Sequence, residues 1–251
     1  MSGFCMDKVK NAVLTGASKG IGKKILEKLA LEKINVWCLC RTWSEEFSEY
    51  IEKLEKENGV WIKHVFCDLS SENSIRTAAS TVLLDKNAID YLINCAGINY
   101  RNSFLMTSAE DMKNVFQVNY YSPIRLIQLL AKNMIRNGGG KIINISSASG
   151  FEHNIGTFAY GASKNALNWA TETMSRELAP FGIVVNGVAP GITDTDINKG
   201  NEVEIEKVIS NMNIHRKANP DEIADIVMFL LSDKASYISG HIIRVDGGRV
   251  K

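Results

Sequence analysis

Leu14-Thr15-Gly16-Ala17-Ser18-Lys19-Gly20-Ile21-Gly22 places three glycines within seven positions, directly after the apolar run Asn11–Thr15. Glycine loses more backbone freedom on folding than any other residue, so such a cluster needs a reason in the folded state. The apolar residues Ile21, Ile25, Leu26 and Leu29 that follow have helical spacing. A strand, a glycine turn and a helix start, in that order, form an anion site, because first-turn N–H groups point outward and the helix dipole favours negative charge. Gly16 is expected to make the tight turn, and Gly20 and Gly22 to let a pyrophosphate and the neighbouring strand approach. The order Gly-x-x-x-Gly-x-Gly differs from the usual Gly-x-Gly-x-x-Gly. Taken alone it also fits a plain strand-to-helix turn.

Working outward, short β-like runs recur at 11–15, 34–40, 60–67, 89–94, 141–145, 183–188 and 241–245. Segments of helical period lie between them. Phe47, Tyr50, Ile51 and Leu54 form one apolar stripe in 44–58. Ile75, Ala78, Ala79 and Val82 form another in 71–84, and Ile223, Ile226, Val227 and Leu230 a third in 219–231. Asn219-Pro220-Asp221-Glu222 reads as a helix start, with Asn as cap, Pro in the first turn and acids beside it. Strands alternating with helices, and strands that are apolar throughout, predict an α/β fold. It is a single doubly wound parallel sheet, Rossmann-type and seven-stranded, with helices on both faces. Ligands of such sheets bind at the carboxyl ends of the strands.

Composition sets the outer limits. The 251 residues are 45% hydrophobic and 23% charged, with no linker-like tract or repeat, which favours one domain over 1–251. A formal net charge of +1 gives no pull toward nucleic acid. No apolar run is long enough for a membrane span, and the N-terminal MSGFCMDKVK does not read as a signal peptide. Cys5, Cys38, Cys40, Cys67 and Cys95 are odd in number and show no Cys-x-x-Cys pair, as expected of reduced thiols in the cytoplasm. With His64, His153, His215 and His241 scattered, no metal site is expected.

The end of the second strand should carry a ribose-sensing residue, an acid where NAD is bound. Here it is Cys40-Arg41-Thr42. The planar fork of Arg41 suits a phosphate, and Lys19 adds a second cation, so the pair points to the 2′-phosphate of NADP(H). The competing reading pairs Arg41 with Glu45 or Glu46. Further on, Tyr160-Gly-Ala-Ser-Lys164 opens a helical segment, and residues four apart share a face. A tyrosine titrates at about 10 in the free state. A neighbouring ammonium lowers that value and fits the phenol for proton transfer to or from a carbonyl oxygen. Ser146 and Ser147, at the end of the fifth strand, offer a hydroxyl to the same oxygen. An isolated Tyr-x-x-x-Lys is also a common surface pattern.

Together these residues resemble the short-chain dehydrogenase/reductase family, from Val13 to Gly248. Thr15–Gly22 is similar to its cofactor loop, and Asn94-Cys95-Ala96-Gly97 to its Asn-Asn-Ala-Gly motif, with Cys95 replacing the second Asn. Asn119, Ser147, Tyr160 and Lys164 fall where the family carries its catalytic tetrad. Ser147, 13 residues before Tyr160, is preferred over Ser146. The resemblance implies that Tyr160 is the acid in reduction and that Lys164 lowers its pKa and holds the ribose. It further implies that Ser147 orients the carbonyl and that Asn119 fixes a water. It assigns the cofactor to Gly16, Ser18, Lys19, Gly20, Ile21, Gly22, Arg41, Asp68, Leu69, Asn94, Ala96, Gly97, Tyr160, Lys164, Pro190, Gly191, Thr193 and Thr195. Within the family the likeness is greatest to 3-oxoacyl-acyl-carrier-protein reductases of fatty acid synthesis, which implies an acyl-thioester ketone, acyl carrier protein as a partner and a homotetramer paired through 119–136 and 157–180. Those enzymes dock their carrier through arginines, and the corresponding positions here are Phe181 and Gly138-Gly139-Gly140. That departure leaves a sugar or small-metabolite ketone as the alternative. A non-catalytic nucleotide-binding protein would have lost part of the tetrad, and an extended epimerase would be longer.

Overall fold

The computed structural model describes residues 9–195 and 202–248. Cys5 and most of the MSGFCMDKVK stretch lie outside them. Seven parallel strands form one sheet: β1 (Asn11–Thr15), β2 (Asn35–Cys40), β3 (Ile62–Phe66), β4 (Tyr91–Asn94), β5 (Gly140–Ile145), β6 (Ile183–Pro190) and β7 (Ile242–Val245), in the order β3-β2-β1-β4-β5-β6-β7. The helices are α1 (Gly20–Leu31), α2 (Glu45–Asn58), α3 (Glu72–Leu84), α4 (Ala109–Phe116), α5 (Ser122–Arg136), α6 (Phe158–Leu178), α7 (Glu202–Ile209) and α8 (Pro220–Leu231).

Strand side chains alternate between two cores, as a period of two dictates. Ala12, Leu14, Val36, Cys38, Ile93, Ile143 and Val188 face Ile25, Leu26, Leu29, Ile223, Val227 and Leu230 of α1 and α8. Val13, Trp37, Leu39, Leu92, Ile142 and Val185 face Ile75, Val82, Leu126, Leu130 and Met134 of α3 and α5. Each fully buried aliphatic side chain contributes about 1.5–3 kcal/mol, so a slip of one residue, which would exchange the two sets, is strongly opposed. The inner strands are apolar throughout because both faces are covered. Edge strand β3 is covered less: Ile62 and Val65 are buried, one in each core, while Lys63, His64 and Phe66 are exposed.

The chain leaves β1 toward β2 and β3, then returns to place β4 on the other side of β1, which makes β1/β4 the switch point. Thr15 pairs in register with Asn94 there, and its hydroxyl accepts hydrogen bonds from the N–H groups of Cys95 and Ala96, both at 3.0 Å. The crevice is thus held together at the strand ends.

Helix boundaries follow local chemistry. Ser44, Ser71 and Ser108 cap α2, α3 and α4, and Asn219 caps α8 in a full capping box with Glu222. The segment 119–136 differs from the sequence expectation. Its helix begins earlier, at Ala109, and passes through a π-helical turn, Gln117–Tyr121, in which the Ser122 N–H bonds back to the Gln117 carbonyl.

Candidate active site

The glycine turn is built by close approach. Gly16 has φ +74°, and a Cβ there would stand 2.9 Å from the Ala96 Cα. A Cβ on Gly22 would lie 2.0 Å from the Gly16 carbonyl oxygen. Gly22 therefore closes helix α1 onto the turn itself, rather than making room for a ligand or strand as its spacing predicts. Gly16 supplies both the bend and the approach to the loop after β4. Gly20, with φ +55°, lies against Thr195. Helix α1 has no side-chain cap and no acid in its first turn, unlike α2, α3, α4 and α8. Its outward N–H groups fit an anionic group such as a dinucleotide pyrophosphate. Ser18 is half-buried and Lys19 exposed beside them.

Arg41 is exposed just beyond β2 and makes no ion pair with Glu45 or Glu46 among the described residues. Its charge acts on Asp68, whose carboxyl is held below the usual range chiefly by the N–H and hydroxyl of Ser70, with Arg41 a smaller contribution. The carbonyl of Leu69 accepts from the Ser122 hydroxyl at 2.6 Å, fixing this loop to the start of α5. Asn94 is buried and donates to the Asn144 side chain at 2.9 Å; Asn144 in turn donates to Thr171 on α6. This buried ladder runs beneath the site, and the Asn94 Oδ1 has no partner.

The carboxyl ends of β4, β5 and β6 surround a cavity of about 560 Å³. Ile21, Gly97, Ser147, Tyr160, Lys164, Pro190, Gly191, Thr193 and Thr195 all line it. Ser147 follows β5 and accepts from the Ser149 N–H. Ser146 turns inward, its hydroxyl donating to the Lys164 carbonyl at 3.3 Å. Gly161 lets α6 pack against the turn after β5, since a Cβ there would meet the Ser149 oxygen at 2.8 Å. Tyr160 and Lys164 then face the cavity one helical turn apart.

Lys164 is buried and donates to the Ile145 carbonyl at 2.9 Å. Burial pulls its pKa down to about 8, with Cys95 opposing weakly. Burial raises the Tyr160 hydroxyl above its usual value, and Ser147 as hydrogen-bond partner draws it back. The sequence reading has Lys164 lowering the tyrosine. Here Ser147 supplies the lowering contribution, which leaves Tyr160 above its usual value, and the Lys164 ammonium donates to a backbone carbonyl. Asn119 lies behind the cavity in the π turn. Its Oδ1 accepts from Ile98 N–H and its Nδ2 donates to the Ile98 carbonyl, both at 2.9 Å, which pins the segment after β4. A Cβ on Gly97 would meet Asn119 Oδ1 at 3.1 Å and Lys164 Nζ at 3.3 Å, so Gly97 lets both groups approach the segment after β4.

Gly16, Ser18, Lys19, Gly20, Gly22, Arg41, Asp68, Leu69, Asn94, Ala96 and Asn119 do not line this cavity; they frame the crevice leading to it or stand behind it. Sequence reasoning missed these further lining residues: Asn99, Arg101, His153, Asn154, Ile155, Ile205, Lys207 and Val208. Most of these lie in loops after β4 and β5. The one available signal was their position at strand ends.

Comparison with known proteins agrees with this geometry. A family model described as enoyl-(acyl carrier protein) reductase matches residues 16–249. The chain is 36% identical over 240 residues to 3-oxoacyl-[acyl-carrier-protein] reductase FabG of Aquifex aeolicus, covering 95% of this chain and 96% of that one. It is 34% identical to carbonyl reductase family member 4 of Xenopus tropicalis, with coverages of 95% and 97%. Among solved structures, L-sorbose reductase of Gluconobacter frateurii, complexed with NADPH and L-sorbose, superposes with a TM-score of 0.89 at 26% identity and 97% coverage of both chains.

Proposed function

Because the chain belongs to the short-chain dehydrogenase/reductase family of oxidoreductases, we propose that it uses NADPH to reduce a ketone to a secondary alcohol, as one domain spanning 1–251. One observation carries the reading: the hydroxyls of Tyr160 and Ser147 serve a single cavity that also reaches Ile21 of the uncapped helix α1. The nicotinamide supplies the hydride when bound. As hydride arrives at carbon, negative charge grows on the carbonyl oxygen, and donors aimed there stabilise the transition state above the ground state. Ser147 orients that oxygen and Tyr160 donates to it and gives up its proton. Lys164 holds the ribose, and Asn119 holds the wall that carries Lys164. The glycine turn and α1 hold the pyrophosphate, Arg41 and Lys19 the 2′-phosphate, Asp68 and Leu69 the adenine side. Asn94, Ala96 and Gly97 bound the adenosine ribose, and Pro190, Gly191, Thr193 and Thr195 the nicotinamide end.

The similarity to 3-oxoacyl-acyl-carrier-protein reductases supports an acyl-thioester ketone of fatty acid synthesis. A sugar or small-metabolite ketone is the second reading. It is favoured by Phe181, half exposed where those enzymes carry an arginine, and by uncharged Gly138–Gly140 at the other docking position. Free Cys38, Cys40, Cys67 and Cys95 support a reducing compartment such as the cytoplasm. No described helix is long and apolar enough to cross a membrane. Exposed Tyr121 and Trp169 beside and on the long helices support pairing into a homotetramer, which light scattering at micromolar protein would refute by a single-chain mass.

NADPH oxidation across a ketone panel that includes an acetoacetyl thioester tests the activity. Arg41→Ala tests the cofactor. A charged hydrogen bond contributes about 1.5–3 kcal/mol, so NADPH should bind about tenfold or more weakly while NADH is unaffected. Equal wild-type dissociation constants for the two cofactors would overturn that assignment.

A further inference from the structure

Trp43 and His64 do not line the cavity and have no part in the chemistry above. They meet near the carboxyl ends of β2 and β3, beside Arg41 and Thr42, which leave β2 with exposed side chains. The indole of Trp43 and the imidazole of His64 are stacked, with ring centroids 4.4 Å apart and planes inclined by 19°. Each ring is also tied down separately. The His64 Nε2 lies 3.1 Å from the Cys40 carbonyl oxygen, and since a carbonyl only accepts, this nitrogen carries the proton. The Trp43 indole N–H donates to the Ser48 hydroxyl at 2.7 Å. Its ring packs edge-on against Phe47, which is buried in the first turn of α2.

These contacts clamp the Cys40–Trp43 segment at both ends. Cys40 is held to β3 through the His64 ring. Trp43 precedes Ser44, the cap of α2, so its packing onto the first turn sets the angle at which the chain enters the helix. The stack joins the two anchors, and Arg41 and Thr42 lie between them. The Arg41 charge acts on Asp68 beyond β3, on the side assigned above to adenine. An arginine side chain has many rotamers, and ordering it on binding costs affinity. A guanidinium that starts from a fixed backbone has less freedom to lose when it meets a phosphate.

We propose that the Trp43–His64 stack is a positioning device for cofactor choice. It holds the Cys40–Trp43 segment so that Arg41, with the Thr42 hydroxyl beside it, is presented to the 2′-phosphate of NADPH. The inference rests on the assignment of Arg41 to that phosphate and adds two residues that act through it.

Fluorescence titration with NADPH and with NADH tests it in Trp43→Ala, His64→Ala and Arg41→Ala, and in each of the first two combined with Arg41→Ala. His64 is exposed on an edge strand, so its loss leaves the core intact, and Trp43→Phe keeps a ring over His64. The ratio of the NADH to the NADPH dissociation constant should fall about two- to tenfold in each clamp variant, the range spanned by loss of one aromatic pair or one hydrogen bond. NADH binding should hold, and Trp43→Phe should recover most of the ratio. Added to Arg41→Ala, neither clamp change should lower the ratio as far as it does alone, because the positioned group is already gone. An unchanged ratio in folded His64→Ala and Trp43→Ala overturns the inference and leaves the Arg41 assignment standing on its own variant. Equal weakening of both cofactors overturns it too, as the mark of a merely structural role. An Arg41→Ala variant with the wild-type ratio overturns the Arg41 assignment and this inference together.

Discussion

The turn after β1 and the turn after β5 each join a strand to a helix at the carboxyl edge of one sheet, yet they are made of different materials. The first is a backbone device. Its glycines remove side chains so that peptide groups can crowd together, and helix α1 is left uncapped. The second is a side-chain device. Ser147, Tyr160 and Lys164 project into the cavity over a buried polar ladder. A backbone device fails by losing its shape, whereas a side-chain device loses its chemistry and keeps its shape.

The largest expected effect probes the first turn. Gly22→Ala puts a methyl group 2.0 Å from the Gly16 oxygen, with backbone on both sides. Stability should fall by more than about 4 kcal/mol, the range reserved for severe steric or core damage. A thermal melt within a few degrees of wild type would show that the turn relaxes freely and that the contrast is false.

Next is Tyr160→Phe, which removes one hydroxyl from the second turn. Turnover should drop about 10²–10⁴-fold, as for a positioned acid, while melting temperature and NADPH binding hold. Near wild-type kcat with a deuteride isotope effect showing rate-limiting chemistry would remove Tyr160 from the reaction.

A third effect is set by pH. Burial holds Lys164 at about 8 against an ordinary 10.5. Below about pH 8 the lysine is charged in folded and unfolded chains alike, and its burial cost is fully present. Between the two values the unfolded chain keeps the proton longer, so native stability rises with pH. The gain is up to about 3 kcal/mol at 1.36 per unit. Urea midpoints at pH ~7.5 and ~10 should separate more for wild type than for Lys164→Met. Equal separations would mean that the buried ammonium is solvated after all.

The smallest effect lies away from both turns. Asn219→Ala removes the cap of α8 and should cost about 1 kcal/mol, read as a shifted urea midpoint with unchanged activity.

The same contrast explains what could be read from the sequence. Apolar runs and stripes located all seven strands and the helices α2, α3 and α8 to within a residue or two, because burial on both faces of the inner strands and along one stripe of each helix leaves little choice of residue. Asn219 and Pro220 marked a helix start because capping is local. The roles inside the glycine turn were less legible. Spacing offers Gly22 to a ligand, whereas three-dimensional approach gives it to the Gly16 carbonyl. The direction of the Lys164 ammonium depends on the Ile145 carbonyl 19 positions away and has no local signal. Arg101 and His153 sit in loops without periodicity, and only the sheet order brings their segments together.

The π turn at Gln117–Tyr121 has a consequence for how this protein tolerates change. Such a turn is an α-helix carrying one surplus residue. Deleting a single residue there would restore regular helix and leave α4 and α5 presenting their old faces, so Leu126, Leu130 and Met134 would still reach the core. Asn119 would lose the widened turn from which it grips both polar groups of Ile98. Loss of one codon is therefore a lesion to which the fold is nearly blind and the site is not. Its signature would be a well-folded protein with a normal melting curve and little turnover.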